Sequence, residues 1–253
     1  MEPQAFWAKV EYDGTDFFGF QVQATRRTVQ GEIERALERV TGIKARIVAA
    51  GRTDRGVHAE GQIIGFSVPW RHEMVDLQRA LNAVLASDVL IRELGLAPEG
   101  FHPRYGARRR AYRYSILNRP WRSPLKRRTT WQVARELDVG WMAEASGCLL
   151  GRQDFATFGK PPQGHNTVRT VYKAEWTAAG ARLTFDIEAD AFLYRMVRSI
   201  VGALVQVGWH EISPDEFKGF LEARDRSLVK LVAPAQGLCL MRVDYAAREG
   251  VSL

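Results

Sequence analysis

The sequence predicts an α+β fold: two ferredoxin-like β-α-β-β-α-β halves whose mainly antiparallel sheets meet at a central cleft. Three observations predict it. The first hundred residues alternate strand-type and helix-type periodicity in that order. The same succession recurs after Pro103. The second copy opens on a basic, aromatic-rich stretch, as expected of a cleft that receives a polyanion. The halves are accordingly drawn as residues 1–103 and 104–253.

The elements follow from local chemistry. Phe6 to Tyr12 alternates as a strand and ends in an Asp13-Gly14 turn. Thr28 to Thr41 is a helix, with Thr28 as N-cap, Ile33, Leu37 and Val40 on one face and Gly42 as its stop. Arg46 to Ala50 and Gly61 to Val68 are strands. Met74, Leu77, Leu81, Val84 and Leu85 mark a second helix, and Val89 to Leu96 is a closing strand.

In the second half, Ala111 to Leu117 is a strand with Tyr112, Tyr114 and Ile116 on one face. Val139 to Leu150 is helical, and Val168 to Thr177 and Ala181 to Ala189 are strands. Tyr194 to Val207 is an apolar helix, Pro214 to Ala223 a short one, and Gly237 to Tyr245 the last strand. Phe158 to Asn166 is the expected mobile loop.

Composition narrows the class. The chain has 253 residues, 46% hydrophobic and 26% charged, ordinary values for a folded globular protein. No apolar run approaches the ~20 residues of a membrane span, and the N-terminus lacks a secretory pattern, so a cytoplasmic protein without membrane association is expected. Cys148 and Cys239 read as buried free thiols. The five histidines show no metal-ligand spacing, and no P-loop, dinucleotide fingerprint or nucleophile elbow occurs, so neither metal nor cofactor is expected.

The net charge of +7 is unevenly spread. Arg104 to Arg128 contains ten Lys or Arg and no acid, so the remainder of the chain carries −3. Tyr105, Tyr112, Tyr114 and Trp121 are interleaved with these cations. Concentrated positive charge with stacking side chains points to nucleic acid, against the alternatives of a solvated basic face or an acidic protein partner.

Two segments carry candidate chemistry. Gly51-Arg52-Thr53-Asp54-Arg55-Gly56-Val57-His58 sets one carboxylate between two arginines in a glycine-flanked turn. Positive neighbours favour the ionised form, which suits a nucleophile or electrostatic stabiliser rather than a general acid. The alternative is an aspartate that only orients Arg52. In the apolar helix, Arg195, Arg198, Ser199 and Gly202 form a second stripe, and a cation in so apolar a helix calls for an anion. That anion is a phosphate, a carboxylate such as Asp190, or Asp54. Tyr112 is either a core aromatic or a platform for an extruded base.

These motifs together resemble the tRNA pseudouridine synthase A family. The matching runs are Tyr12-Asp13-Gly14-Thr15-Asp16-Phe17-Phe18-Gly19-Phe20-Gln21, Gly51 to Asp54 with Gly56-Val57-His58-Ala59, and Arg110-Ala111-Tyr112-Arg113-Tyr114. Phe192 to Arg198 with Ile200-Val201-Gly202, and Gly237-Leu238, complete the set. The resemblance implies a homodimer that binds the tRNA anticodon stem-loop and isomerises uridines 38, 39 and 40 without cofactor or metal. It implies Asp54 as the catalytic aspartate and Arg52 as the residue that helps extrude the nucleotide. Tyr112 would contact the base, Arg198 would pair with the aspartate, and Leu238 would line the pocket. Arg55 departs from the pattern, which has a small residue, often alanine, there; it adds charge beside the site, where it would grip phosphate or compete for Asp54. Ser199 stands where asparagine is common.

Two rivals remain at this level. A non-catalytic RNA-binding module accounts for the basic segment but not for Asp54. A transglycosylase acting at C1′ calls for a second carboxylate or a pocket for an incoming base, and neither is evident.

Overall fold

The computed structural model describes residues 2–161 and 164–246. Contacts divide the chain into two compact units, residues 1–108 with 240–253, and residues 109–239.

The first unit contains β1 (Gln4–Tyr12), α1 (Val29–Thr41), β2 (Val48–Ala49), β3 (His58–Val68), α2 (Met74–Val84) and β4 (Val89–Leu96). β1 is central: it pairs antiparallel with β3 on one side and β4 on the other. Its alternation buries Phe6, Ala8, Val10 and Tyr12, the pattern of a strand with one face in a core. Ile33 and Leu37 of α1 and Leu77 and Leu81 of α2 are buried as well, each contributing about 1.5–3 kcal/mol of transfer free energy.

α1 is bounded as its sequence dictates. Thr28 accepts from the Gly31 N–H, and Gly42 ends the helix at φ 73°. Two expectations change here. Arg46 to Ala50 forms a strand only at Val48–Ala49, because Glu34 of α1 accepts the Ile47 N–H at 3.1 Å and removes that backbone from the ladder. Met74 is exposed, so α2 buries only Leu77 and Leu81.

The second unit contains β5 (Ala107–Asn118, most of its length), β6 (Trp131–Val133), α3 (Val139–Gly147), β7 (Gly151–Asp154), β8 (Val168–Ala179), β9 (Arg182–Ala189), α4 (Met196–Gly208) and α5 (Pro214–Ala223). Its strand order is β5-β9-β8-β7, antiparallel throughout, with β6 parallel to β5. The expected succession β5-α3-β8-β9-α4 is therefore present, as is the expected short helix α5, with β6 and β7 added. Ser213 and Glu216 close a capping box at α5, with Pro214 in its first turn.

α4 begins at Met196, two residues later than its hydrophobicity suggests. Arg195 sits outside it at φ 61°, in the left-handed region. The expected polar stripe is not a surface stripe. Ser199 and Gly202 are buried, and a Cβ on Gly202 would lie 1.9 Å from the Leu231 carbonyl oxygen. The helix is buried nearly all round.

The last strand, β10, runs Leu238–Tyr245, and from Leu240 onward it groups with the first unit, beside β3. Gly61 of β3 allows that approach, since a Cβ there would meet the Met241 carbonyl oxygen at 2.3 Å. Both cysteines are free and half-buried rather than fully buried, and burial pushes the Cys148 thiol up to about 11. Among the described residues no helix is long and apolar enough to cross a membrane. The expected mobile loop includes residues 162 and 163, which lie outside the described residues.

Candidate active site

The Asp54 turn belongs to the first unit, between β2 and β3, and hydrogen bonds tie down Gly51, Thr53, Gly56 and Val57 around Asp54. Gln62 of β3, fully buried, donates to the Gly51 carbonyl at 2.8 Å. The Tyr12 phenol and the Thr53 hydroxyl share a buried hydrogen bond of 2.8 Å. The Phe20 N–H donates to the Thr53 carbonyl at 3.1 Å and the Gly56 N–H to the Phe17 carbonyl at 3.3 Å. Within the turn, the Val57 N–H reaches back to the Asp54 carbonyl at 3.1 Å. His58 Nδ1 lies 3.1 Å from the Gly14 nitrogen, from whose N–H it accepts, and 3.1 Å from Asp13 Oδ1.

Thr53, Val57 and His58 are buried, Asp54 is half-exposed, and Arg52 and Arg55 are exposed. The turn therefore buries Thr53, Val57 and His58 and leaves the carboxylate half-exposed between two exposed arginines.

The segment from Tyr12 to Phe20 is the other half of this clamp. A Cβ on Gly14 would lie 2.0 Å from the Val57 carbonyl oxygen. Gly19, at φ 91°, brings its Cα against the Thr53–Arg55 backbone. Two runs far apart in sequence are thus one rigid object. Arg55 lays its guanidinium over the Phe18 ring at 4.1 Å.

In the second unit, Tyr112 lies on β5 opposite Ile187 of β9. It is half-buried, with its ring edge-on to Phe192 at 5.0 Å and 84°. Tyr114, two residues on, is wholly buried and donates its hydroxyl to the Pro234 carbonyl at 2.7 Å; burial pushes its phenol upward. Tyr114 is accordingly a core residue and no stacking platform, because its strand face turns inward at that point.

Arg198 is held at both ends by one residue. Its Nε donates to the Ala233 carbonyl at 2.8 Å, and the Ala233 N–H donates to the Arg198 carbonyl at 3.0 Å. Leu238 is buried at the start of β10, after Gly237, whose Cα lies against the Tyr114 ring. The stretch from Leu231 to Leu238 thus secures Arg198, Tyr114 and Leu238 within this unit. Sequence reading missed Ala233 and Pro234, since both act through backbone carbonyls that leave no residue-type signal.

The basic segment divides by role. Arg113 pairs with Asp186, its cross-strand partner, through two bonds of 2.7 and 3.0 Å, and Arg110 donates to the Asp190 carbonyl at 2.7 Å. These two arginines are engaged in holding β5 to its own unit. Arg108, Arg109, Arg119, Arg122, Lys126, Arg127 and Arg128 are exposed, as are Tyr105 and Trp121. No group of three or more metal-ligating side chains occurs among the described residues.

A family model described as tRNA pseudouridine synthase matches residues 8–106 and 145–246. The chain belongs to the tRNA pseudouridine synthase family. A tRNA pseudouridine synthase A from Roseiflexus castenholzii is 45% identical over 94% of this chain and 89% of its own. One from Thermotoga neapolitana is 42% identical over 94% of this chain and 98% of its own. Among solved structures, a chain of a Cbf5-Nop10-Gar1 complex matches with a TM-score of 0.38 at 12% identity, over 93% of this chain and 49% of that one. The enzyme is therefore an isomerase of the pseudouridine synthase type, and the Asp54 turn and its clamp lie inside the matched span.

Proposed function

We propose that this pseudouridine synthase isomerises uridines 38, 39 and 40 in the anticodon stem-loop of tRNA, acting as a cytoplasmic homodimer with Asp54 as its catalytic group. The observation that carries this reading is the presentation of Asp54. A multiply anchored turn that buries Thr53, Val57 and His58 holds one half-exposed carboxylate between two exposed cations. A merely structural aspartate needs no such clamp.

The chemistry asks for no oxidant, reductant or energy source, since substrate and product are isomers. The N1–C1′ bond breaks, the base turns, C5 bonds to C1′, the C5 proton leaves and N1 takes one up. Asp54 acts at the sugar, either attacking C1′ to give an ester or removing the 2′ proton to give a glycal. The target must leave its stack, at a cost of a few kcal/mol. Arg52, exposed at the turn, fills the vacated place, and Tyr112 stacks on the extruded uracil.

Arg198 serves as the cation that pairs with Asp54, with its side chain pre-set by Ala233. Leu238 lines the base pocket. Support for these roles is the local geometry of each residue and its place in the matched runs.

The test is incubation with tRNA tritiated at uridine C5, in transcripts that retain uridine only at 38, 39 or 40. Tritium release from an intact strand supports the proposal. Release from transcripts lacking those uridines relocates the target, free base indicates a glycosylase, and no release leaves only an RNA-binding module.

A further inference from the structure

Two cations beside the Asp54 turn are held without any anion. The guanidinium carbon of Arg55 lies 4.1 Å from the Phe18 ring centre, and that of Arg26 lies 4.6 Å from the same centre. The two groups are therefore within about 9 Å of each other. Both arginines are exposed, and neither has a carboxylate partner or a side-chain hydrogen bond among the described residues.

Arg27 shows the contrast. It sits over Phe17 at 4.1 Å, yet it spends Nε on Glu32 and both terminal nitrogens on Asp88, at 3.0, 2.6 and 2.8 Å. Arg27 is a structural cation. Its neighbour Arg26 is held by an aromatic face alone, a contact that orients a guanidinium without consuming a single N–H donor.

The platform itself is fixed. The Phe18 N–H donates to the Arg27 carbonyl at 2.9 Å, Gln23 donates to the Phe18 carbonyl at 2.8 Å, and Gln23 and Arg26 form an isolated β-bridge. On the other side, Gly19 packs against the Thr53–Arg55 backbone. Two like charges brought to one ring on rigid supports, with their donors unspent, match a tetrahedral anion with several acceptor oxygens.

We infer that Phe18, Arg26 and Arg55 form a phosphate-binding site that grips the RNA backbone next to the nucleotide presented to Asp54. The proximity follows from Arg55 being the residue after Asp54. The inference rests on the proposed RNA substrate and gives Arg55 a role its departure from the family pattern left open. Where the pattern has a small residue, this chain adds the second half of a clamp.

The test is equilibrium binding of a full-length tRNA transcript to the full-length protein across a series of KCl concentrations. Arg26→Ala and Arg55→Ala are compared with Arg39→Ala, which removes an equal charge from an exposed site on α1. Each clamp variant is expected to weaken binding about threefold to tenfold near 0.1 M salt and to lower the salt slope by about 1. Arg39→Ala should leave the slope unchanged. Arg26→Gln and Arg55→Gln, which keep the aliphatic stem, should repeat the loss even if an alanine variant folds poorly.

Slopes matching Arg39→Ala overturn the inference, including the case in which the variants only lower Tm, for the arginines would then merely pack on Phe18. A change in oligomeric state with an unaltered RNA slope would instead assign the pair to a protein contact and also overturn it. If the wild-type protein forms no pseudouridine, the proposed function fails. If it forms pseudouridine while the slopes stay equal, this site alone fails.

Discussion

The Tyr12 hydroxyl and the Thr53 hydroxyl meet at 2.8 Å in the interior of the first unit, one residue before Asp54. Tyr12 ends β1, whose alternation is set by the core, so the strand that organises the sheet also fixes the height of the Asp54 turn. Tyr12→Phe leaves the Thr53 hydroxyl buried without this partner. Urea unfolding is expected to show a loss of about 1–3 kcal/mol. Turnover should fall with it, because small misplacements of a reacting group are costly. Thr53→Val in the Tyr12→Phe background should cost less than the two single changes together.

Gly14→Ala tests the clamp from its other side. The new methyl would lie 2.0 Å from the Val57 carbonyl oxygen, a backbone atom with no rotamer to yield. A destabilisation of about 3 kcal/mol is expected from thermal or urea melts. Gly51, at the start of the same turn, has open space at its Cβ, and Gly51→Ala should be far milder.

Arg113 separates structural from RNA-facing cations. Its fork on Asp186 is half-exposed, so Arg113→Ala should cost about 1 kcal/mol or less. The salt slope of tRNA binding should stay as in the wild type, whereas Arg108→Ala should reduce it by about 1. A lowered slope for Arg113→Ala would place that arginine on the RNA path.

The Cys148 thiol gives a pH prediction. Burial holds its folded value up to about 11, above its unfolded value near 9. The folded state therefore retains a proton that the unfolded state loses, and stability falls as pH rises from about 9 to about 11. Below that window the group contributes no pH dependence. Denaturation midpoints across pH 8–11 should decline less steeply in Cys148→Ala, and alkylation of Cys148 by iodoacetamide should be slow at neutral pH.

Much of this was legible in residue types. Thr28, Gly42 and Pro214 mark helix ends through chemistry that acts within four residues, and α1 begins and ends, and α5 begins, where those signals stand. The Asp54 turn was legible as a motif because its glycines, arginines and aspartate stand together in one short run. What was not legible depends on partners distant along the chain.

Tyr112 and Tyr114 are identical residues on one strand face, yet only packing of Pro234 and Gly237 on Tyr114 sends it into the core. Arg113 and Arg108 are equally basic, and only Asp186 across the ladder distinguishes them. The placement of β10 beside β3 turned on a glycine, Gly61, whose local sequence gives no hint of a close approach. The pairing of Arg26 with Arg55 on Phe18 joins residues 29 positions apart and carries no motif.

The central claim is that Asp54 performs the chemistry. It is tested most directly by single-turnover tritium release from tRNA labelled at uridine C5, comparing wild type with Asp54→Asn. The substitution keeps shape and removes the charge. The predicted result is a rate at least about a thousandfold lower, with the dissociation constant for tRNA within about threefold of wild type. Tritium release by Asp54→Asn at the wild-type rate would contradict it.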